Sequence, residues 1–192
     1  MDADGLTFAV ATTAEERVAR RAGLHAVRVG LRAANGVPDG RIVSFGLAGA
    51  LDDALRVGDV IDATRVVDAD GATLWEGAGL GVSGAKRCVV LASEQLVHDA
   101  GERQRLHDAS GADAVDMESG VLARSGRLAG VLRVVSDDTT SAVEGVDKTI
   151  KDDGRTDVAG LLRWVARRRG DAIRSMKDAV TALKALERAV AA

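Results

Sequence analysis

Acidic residues follow apolar runs at two points of this sequence, where a buried strand would give way to a helix. In "DAVDMESG", Asp116 and Glu118 flank Met117, and in "VLRVVSDD" the adjacent acids Asp137 and Asp138 close the run. Carboxyl groups at such positions can transfer protons or bind the hydroxyl groups of a ligand. They can equally cap a helix or complement its dipole, with Asp116 as the cap and Glu118 solvated in the first turn.

A third acidic pair, Glu15 and Glu16, stands after the apolar run "LTFAV" and two threonines. Either residue could belong to a ligand site at the end of a strand, or both could simply favour the first turn of a helix. The run "GLAGA" (46–50) is open to two interpretations as well. It lets a ligand approach the backbone, or it forms a tight turn without any ligand.

The composition is that of an ordinary globular protein. The 192 residues are 46% apolar and 29% charged, which predicts one domain spanning 1–192. Aromatic residues make up only 2% and the net charge is -3, which argues against a nucleic-acid surface. Cys88 is the single cysteine, so no disulfide forms within the chain, which fits a cytoplasmic protein. The histidine spacing indicates no metal site, and no apolar run is long enough to predict a transmembrane helix.

Apolar runs and helical spacing predict an α/β fold. Strands are expected at 6–10, 25–30, 41–49, 87–93, 112–117 and 130–138, a strand and a turn over 58–71, and helices at 14–23, 100–111 and 118–128. A C-terminal helical segment is expected over 157–192, interrupted near Gly170. Such an alternation indicates a single domain with a central mixed twisted sheet flanked by helices. Ligands bind beyond the carboxyl ends of strands in these folds, which selects residues 12–16, 46–49, 117–118 and 136–137.

Four motifs, "VSFGLAGAL", "RVGDVI", "AVDMESGVLAR" and "GVLRVVSDD", resemble in type and order those of the nucleoside phosphorylase and nucleosidase superfamily. That superfamily includes purine nucleoside phosphorylases and methylthioadenosine/S-adenosylhomocysteine nucleosidases. The stretch from 153 onward resembles one branch in particular, the hopanoid-associated phosphorylases that remove adenine from adenosylhopane. The resemblance implies a nucleoside phosphorylase-like fold, cleavage of the N-glycosidic bond of an adenosine-like purine nucleoside, and a homodimer or higher homo-oligomer. It implies no metal or other cofactor.

The resemblance also implies roles for the acids at the strand ends. Asp137 matches the aspartate that protonates or hydrogen-bonds N7 of the leaving purine. Glu118 matches the glutamate that binds the ribose hydroxyls, with Met117 packed beside the sugar. The acid that activates water in the nucleosidases matches Glu16 by a gap-free count, whereas the hopanoid-associated branch favours Glu15.

Other positions match segments that contact the substrate. These are Gly46, Ala48 and Gly49 in the loop that the sugar and nucleophile approach, Ser136 next to the purine acid, and Leu96 and Val97 beside the base.

The phosphate-binding loop of the phosphorylases is altered in this sequence. Only ten residues separate Gly30 from Arg41, and they include helix-breaking glycines and a proline. Within this loop, Gly30 and Arg32 are the candidate phosphate contacts. The branch resemblance favours phosphorolysis, with phosphate as co-substrate, whereas the altered loop favours hydrolysis. A nucleoside-binding protein without catalytic turnover is the alternative of another class.

Overall fold

The predicted alternation of strands and helices is present in the structure, a computed structural model in which residues 5–97, 99–139, 152–155 and 169–191 are described. The strands are β1 (Leu6–Val10), β2 (Ala26–Arg28), β3 (Arg41–Ala50), β4 (Val60–Asp62), β5 (Arg65–Val67), β6 (Thr73–Glu76), β7 (Val89–Ala92), β8 (Ala114–Asp116) and β9 (Leu128–Asp137). The helices are α1 (Thr13–Arg21), α2 (Ala100–Ser110), α3 (Ser119–Arg124) and α4 (Arg169–Ala191), with a 3-10 turn at Leu31–Ala33. The predicted α/β class with a mixed sheet and flanking helices is confirmed.

Three boundaries differ from the prediction. The run 58–71 forms two strands, β4 and β5, which pair with different partners, and β6 follows as an unpredicted strand. Helix α3 ends at Arg124 because Gly126 adopts a positive φ of 71°, and β9 begins soon after it. Gly170 lies inside the first turn of α4. The rest of the predicted C-terminal helical segment, from 157 to 168, lies outside the described residues.

The sheet is organised around the long strand β3. The strand order is β2-β1-β3-β8-β7-β5-β6, and β9 pairs with the other edge of β3 and with β4. The pairs β1–β2, β1–β3, β3–β9, β7–β8 and β5–β7 are parallel, whereas β3–β8, β4–β9 and β5–β6 are antiparallel.

Strand β3 changes partner along one edge. Its first half pairs with β1 as far as Ser44, and the same strand pairs with β8 only from Gly49 onward. The interval between these pairings opens a gap in the sheet at the carboxyl end of β1. This is the edge at which a parallel sheet presents ligand-binding groups.

Apolar layers cover both faces of the sheet. On one face, α1 and α4 pack against the rings of Phe8 and Phe45, whose centroids lie 5.7 Å apart in an edge-to-face arrangement. Ala182 and Leu186 of α4 are fully buried in this layer. On the other face, α3 packs through Leu122 against a second apolar cluster. The described helices include none that is both long and apolar enough to cross a membrane.

Candidate active site

A cavity of about 250 Å³ lies at the gap beside β3. Its wall comprises Ala11, Thr12, Glu15, Leu31, Leu47, Ala48, Gly49, Gln95, Leu96, Val97, Val115, Asp116, Met117, Glu118, Ser136, Asp137, Asp178 and Ala179. Most of the wall is apolar, and its polar part is dominated by carboxyl groups. Such a shape, an apolar cleft with a few converging polar groups, is typical of small-molecule sites.

Glu15 reaches this cavity from the first turn of α1. Its Oε1 accepts a hydrogen bond of 2.9 Å from the amide of Leu47. Leu47 lies in the part of β3 that pairs with neither β1 nor β8 on this edge of the strand. Its Oε2 accepts from the amide and the hydroxyl of Thr12, at 2.7 and 2.9 Å, which completes a capping box. The residue as a whole is only 3% exposed. Both interpretations of this acid therefore hold, because Glu15 stabilises the helix start and also lies on the cavity wall.

Glu16 points away from the cavity. Its carboxylate forms ion pairs with Arg20 at 2.8 Å and with Arg28 at 3.1 Å. Of the two acids that the sequence left open, the structure brings Glu15 to the candidate site.

Glu118 is buried at the cavity wall, with 5% of its surface exposed. Its Oε1 accepts a hydrogen bond of 3.2 Å from the amide of Arg32, and its Oε2 lies 3.5 Å from Arg133. Burial raises the pKa of Glu118 to about 7. The Arg133 cation opposes this shift, and the carboxylates of Asp116 and Glu15 add to it. Glu118 therefore titrates near neutral pH, unlike a solvated acid in a helix turn.

Asp116 performs the capping role that the sequence suggested for it. Its Oδ1 accepts a hydrogen bond of 3.1 Å from the amide of Ser119, at the start of α3, whereas Glu118 forms no cap bond. Both acids therefore line the cavity, but only Asp116 also caps the helix.

Arg133 is a site residue that the motif comparison did not include. It lies in the middle of β9, is 1% exposed, and donates to Asp116 Oδ2 and to the hydroxyl of Ser44, both at 2.6 Å. Burial disfavours its charge, but the carboxylates of Asp116 and Glu118 outweigh that effect and raise its pKa. A single arginine within the apolar run "VLRVV" was the available signal, because a buried cation needs carboxylate partners.

Gly46 leaves room for the groups that meet behind the cavity. A Cβ atom at this position would lie 2.8 Å from the carboxyl carbon of Glu15 and 2.7 Å from Nη1 of Arg133. Any side chain would separate this acid and this cation from the backbone of β3. Gly46 is therefore needed for close approach, although it does not itself line the cavity.

Asp137 lies at the end of β9 with both oxygens engaged. Oδ2 accepts from the guanidinium of Arg103 at 2.5 Å, and Oδ1 accepts from the hydroxyl of Ser136 at 2.7 Å. Arg103 of α2 is 1% exposed and also donates to the carbonyls of Ala50 and Val97. This second buried arginine, which no motif indicated, fastens Asp137 to both β3 and the segment before α2. Most of the chain that Asp137 would cap, from 140 onward, lies outside the described residues.

The remaining predicted contacts lie mainly on the cavity wall. Ala48, Gly49, Leu96, Val97, Met117 and Ser136 all line it. At Gly49, a Cβ atom would approach to 2.9 Å from Asp137 Oδ2, so the small residue admits the acid to this wall.

Gly30 and Arg32, the candidate phosphate contacts, do not line the cavity. The Arg32 side chain is 44% exposed, and its guanidinium forms an ion pair of 2.8 Å with Asp152. Gly30 adopts a positive φ of 76°, and the next amide donates to the carbonyl of Asp152 at 2.9 Å. The loop is therefore packed against 152–153, and it contributes to the cavity through the side chain of Leu31 and the Arg32 amide bond to Glu118.

Helix α4 contributes Asp178 and Ala179 to the wall. The sequence predicted the helix but not the surface on which it packs. Within the described part of the chain, no group of three or more acidic, histidine or cysteine side chains could hold a metal ion.

Comparison with known proteins places the fold in a known class. No protein-family model matches the chain, and no curated protein sequence matches it. Among solved structures, the chain is similar to a mutant 5′-methylthioadenosine/S-adenosylhomocysteine nucleosidase from Helicobacter pylori, with 5′-methylthioadenosine in its active site. The two sequences are 18% identical, and the structures superpose with a TM-score of 0.58 over 99% of both chains. The corresponding S. pneumoniae enzyme, with a transition-state inhibitor, is 12% identical with a TM-score of 0.58, covering 96% of this chain and 98% of that one.

A Helicobacter pylori futalosine hydrolase is also similar, at 15% identity and a TM-score of 0.55, over 91% of this chain and 96% of that one. These identities establish the architecture rather than an activity. The chain is a single α/β domain with the fold of the methylthioadenosine/S-adenosylhomocysteine nucleosidases.

Proposed function

We propose that this protein cleaves the N-glycosidic bond of an adenosine-like purine nucleoside by hydrolysis. The observation that carries the proposal is the convergence of Glu15, Glu118 and Asp137 on one largely apolar cavity, from three separate chain segments. Cleavage of this bond leaves a sugar with oxocarbenium character and a negatively charged base. It therefore needs a carboxylate near the sugar and hydrogen-bonding or proton-donating groups near the base.

Each of the three acids has a distinct task in this proposal. Glu118, held between the Arg32 amide and Arg133, accepts hydrogen bonds from the ribose hydroxyls. Glu15, fixed by Thr12 and Leu47, orients a water molecule and takes its proton. Asp137, fixed by two donors, accepts a hydrogen bond from the base as it leaves.

The charge of the cavity supports water as the attacking group. The carboxyl groups on its wall repel a phosphate ion, and the buried cations Arg103 and Arg133 are already paired with carboxylates. Arg32, the candidate phosphate ligand, is paired with Asp152 instead. The resemblance to the hopanoid-associated phosphorylases favoured phosphorolysis, whereas the similar solved structures carry the names of a nucleosidase and a hydrolase.

The apolar part of the cavity wall favours a nucleoside whose 5′ substituent is apolar. Leu31, Leu47 and Met117 contribute aliphatic surface next to the acids. Methylthioadenosine and adenosylhopane both carry an apolar 5′ substituent and are the substrates that we propose to compare. The homo-oligomeric state implied by the resemblance and the cytoplasmic location indicated by the single cysteine stay predictions.

The test is to incubate the purified protein with adenosine, 5′-methylthioadenosine, S-adenosylhomocysteine, futalosine and adenosylhopane, with and without inorganic phosphate. Chromatography measures the released base and the sugar product. We expect base release without phosphate and a free sugar as the second product. A strict requirement for phosphate, with a sugar 1-phosphate product, would replace hydrolysis by phosphorolysis. Tight adenine binding with no base release from any of the nucleosides would identify a non-catalytic binding protein.

A further inference from the structure

The turn after β2 has an unusual backbone beside the candidate active site. Arg32 and Ala33 adopt positive φ angles of 52° and 54°, whereas the other positive φ angles in the described part of the chain belong to glycines. Such a backbone costs free energy and persists where neighbouring contacts hold it, often next to a ligand site. This turn brings the amide of Arg32 to within 3.2 Å of Glu118 Oε1. The Arg32 side chain therefore starts next to the acid that we propose to bind the sugar.

Asp152 holds this turn through its backbone and its side chain. Its carbonyl accepts a hydrogen bond of 2.9 Å from the Leu31 amide, and a Cβ atom at Gly30 would collide with the same carbonyl. Its Oδ1 accepts from Nη2 of Arg32 at 2.8 Å. A carboxylate that the backbone fixes beside its partner competes with free anions at a high effective concentration. The ion pair is therefore held although both side chains are partly exposed.

The segment that carries Asp152 is also fixed to the start of α1. The Gly154 carbonyl accepts a hydrogen bond of 3.2 Å from the Thr13 amide. Gly154 has a positive φ of 78°, and a Cβ atom there would collide with the Ala11 carbonyl. The position of Asp152 is thus set from two sides, by the turn after β2 and by the helix that carries Glu15.

Arg32 is accessible to an anion that enters the site. Its side chain lines a neighbouring cavity of about 790 Å³, which shares Met117 with the smaller cavity of the candidate active site. Arg103 and Arg133 are each 1% exposed and are enclosed with their carboxylate partners. The partly exposed Arg32 can instead exchange Asp152 for a ligand anion.

We propose that Asp152 determines the attacking group in this site: its carboxylate occupies the Arg32 guanidinium that would otherwise bind phosphate, and water is left to attack the sugar. The inference rests on the proposed function. Arginine binds carboxylate and phosphate through the same N–H donors, so one anion can take the place of the other.

Removal of the Asp152 carboxylate should open a second reaction with inorganic phosphate as the co-reactant. An oxygen of hydrogen phosphate bonds to C1′ while the C1′–N9 electron pair moves onto the base. The proton of the hydrogen phosphate goes to the base. The products are a sugar 1-phosphate and the neutral base.

The test measures the products of Asp152→Ala at increasing phosphate concentration. The substrate is the nucleoside of the panel that the wild type cleaves fastest, and hydrolysis in phosphate-free buffer shows that each variant is folded. The wild type should yield free sugar at every phosphate concentration, whereas Asp152→Ala should yield a share of sugar 1-phosphate that rises with phosphate. Asp153→Ala is the matched control, because it removes the neighbouring carboxylate, which pairs with Arg155 instead, and changes the net charge equally. It should behave as the wild type.

Calorimetry with inorganic phosphate provides a readout that needs no turnover. The phosphate Kd of Asp152→Ala should be at least about fivefold lower than that of the wild type, the usual weight of a partly exposed ion pair. The double variant Asp152→Ala with Arg32→Gln should return to the wild-type Kd and yield free sugar, because the guanidinium that binds phosphate is gone.

Three results would contradict the assignment of Asp152 and leave cleavage of the nucleoside in place. They are an unchanged phosphate Kd with free sugar as the sole product of Asp152→Ala, equal gains in Asp152→Ala and Asp153→Ala, and sugar 1-phosphate from the wild type itself. Absence of base release by the wild type from any nucleoside would instead remove the proposed function, and the inference with it.

Discussion

Glu118 combines a ligand-facing carboxyl group with a pKa of about 7, so its effect on binding should depend on pH. As pH rises through 7 the group ionises, and its hydrogen bonds with sugar hydroxyls become stronger. We expect the KM for nucleoside to fall over this range in the wild type and to stay level in Glu118→Gln. The variant should also bind nucleoside roughly 10- to 100-fold less tightly above pH 7, since charged hydrogen bonds contribute about 1.5–3 kcal/mol.

Free adenine is the control ligand for this prediction, because it carries no sugar. Its Kd, measured by calorimetry from pH 6 to 8, should be nearly the same for both proteins. An unchanged KM for the nucleoside in Glu118→Gln would show that this acid does not contact the sugar.

The adjacent acids Glu15 and Glu16 form a matched pair at the start of α1. Glu15→Gln should lower kcat by about 10²-fold or more, because the amide cannot accept a proton from water. Glu16→Gln should leave kcat within about twofold, since it disturbs only partly exposed ion pairs worth at most about 1 kcal/mol. Steady-state base release is the measurement, and the reverse order of effects would transfer the base role to Glu16.

The sequence indicated the site residues unevenly. Glu118 and Asp137 stand out because an acid directly follows an apolar strand, and the resemblance names the same positions. Arg133 was detectable as a lone cation in an apolar run, since such a residue needs buried partners. Arg103 and Asp178 carry no such signal. They belong to helices, and which side of a helix meets the cavity depends on packing that one sequence does not specify.

At the level of elements, the part of β3 between its two pairings is the critical feature, because Glu15 and Arg133 both bond to its backbone at Leu47 and lie against Gly46. Gly46→Ala should destabilise the protein by about 1–3 kcal/mol, since the added methyl group meets the Glu15 carboxyl and the Arg133 guanidinium. Urea unfolding gives the change in the free energy of unfolding.

The background variant Glu15→Ala tests the cause of that loss. Shortening Glu15 removes one of the two groups that the methyl would meet, so Gly46→Ala should cost less in this background than in the wild type. Equal costs in both backgrounds would show that the Glu15 carboxyl group is not what requires a glycine.

The order of strands and helices was predictable from apolar runs and stop signals, but the partners of β3 were not. Its run "RIVSFGLAGA" reads as one uninterrupted buried strand. Along one edge, β3 pairs first with β1 and then with β8. Where that change of partner occurs depends on where β8 ends, more than sixty residues later in the chain. Strand β6 was missed because "TLWE" is short and only half-buried, which gives a weak alternation of apolar and polar residues.

At the level of the whole molecule, Arg133 joins β9 to Ser44 of β3 and to Asp116 of β8 through buried polar contacts. Arg133→Met should cost about 3–5 kcal/mol at pH 8, because Asp116 and Glu118 are left as buried charges without a cation. The variant lacks the Arg133 cation that lowers the pKa of Glu118, so that pKa should rise further. The loss of stability should therefore shrink as pH falls toward 5 and Glu118 takes up a proton.

Thermal unfolding across pH 5 to 8 measures this loss for Arg133→Met. Arg20→Met is the control, because the Arg20 side chain is 64% exposed and its ion pair lies on the surface. A loss for Arg133→Met that stayed constant across the pH range would point to lost packing rather than to uncompensated charge.

The pairing of β3 with β9 also has a consequence during protein synthesis. The Arg133 guanidinium and the Leu47 carbonyl that it contacts are 86 residues apart in the chain. Translation at about 5–20 residues per second leaves the apolar edge of β3 without its partner for roughly 4–17 seconds after it leaves the ribosome. During that time the strand is open to mispairing with other nascent chains. Yield of folded protein should therefore depend more on chaperone supply and growth temperature than the stability of the finished molecule would suggest.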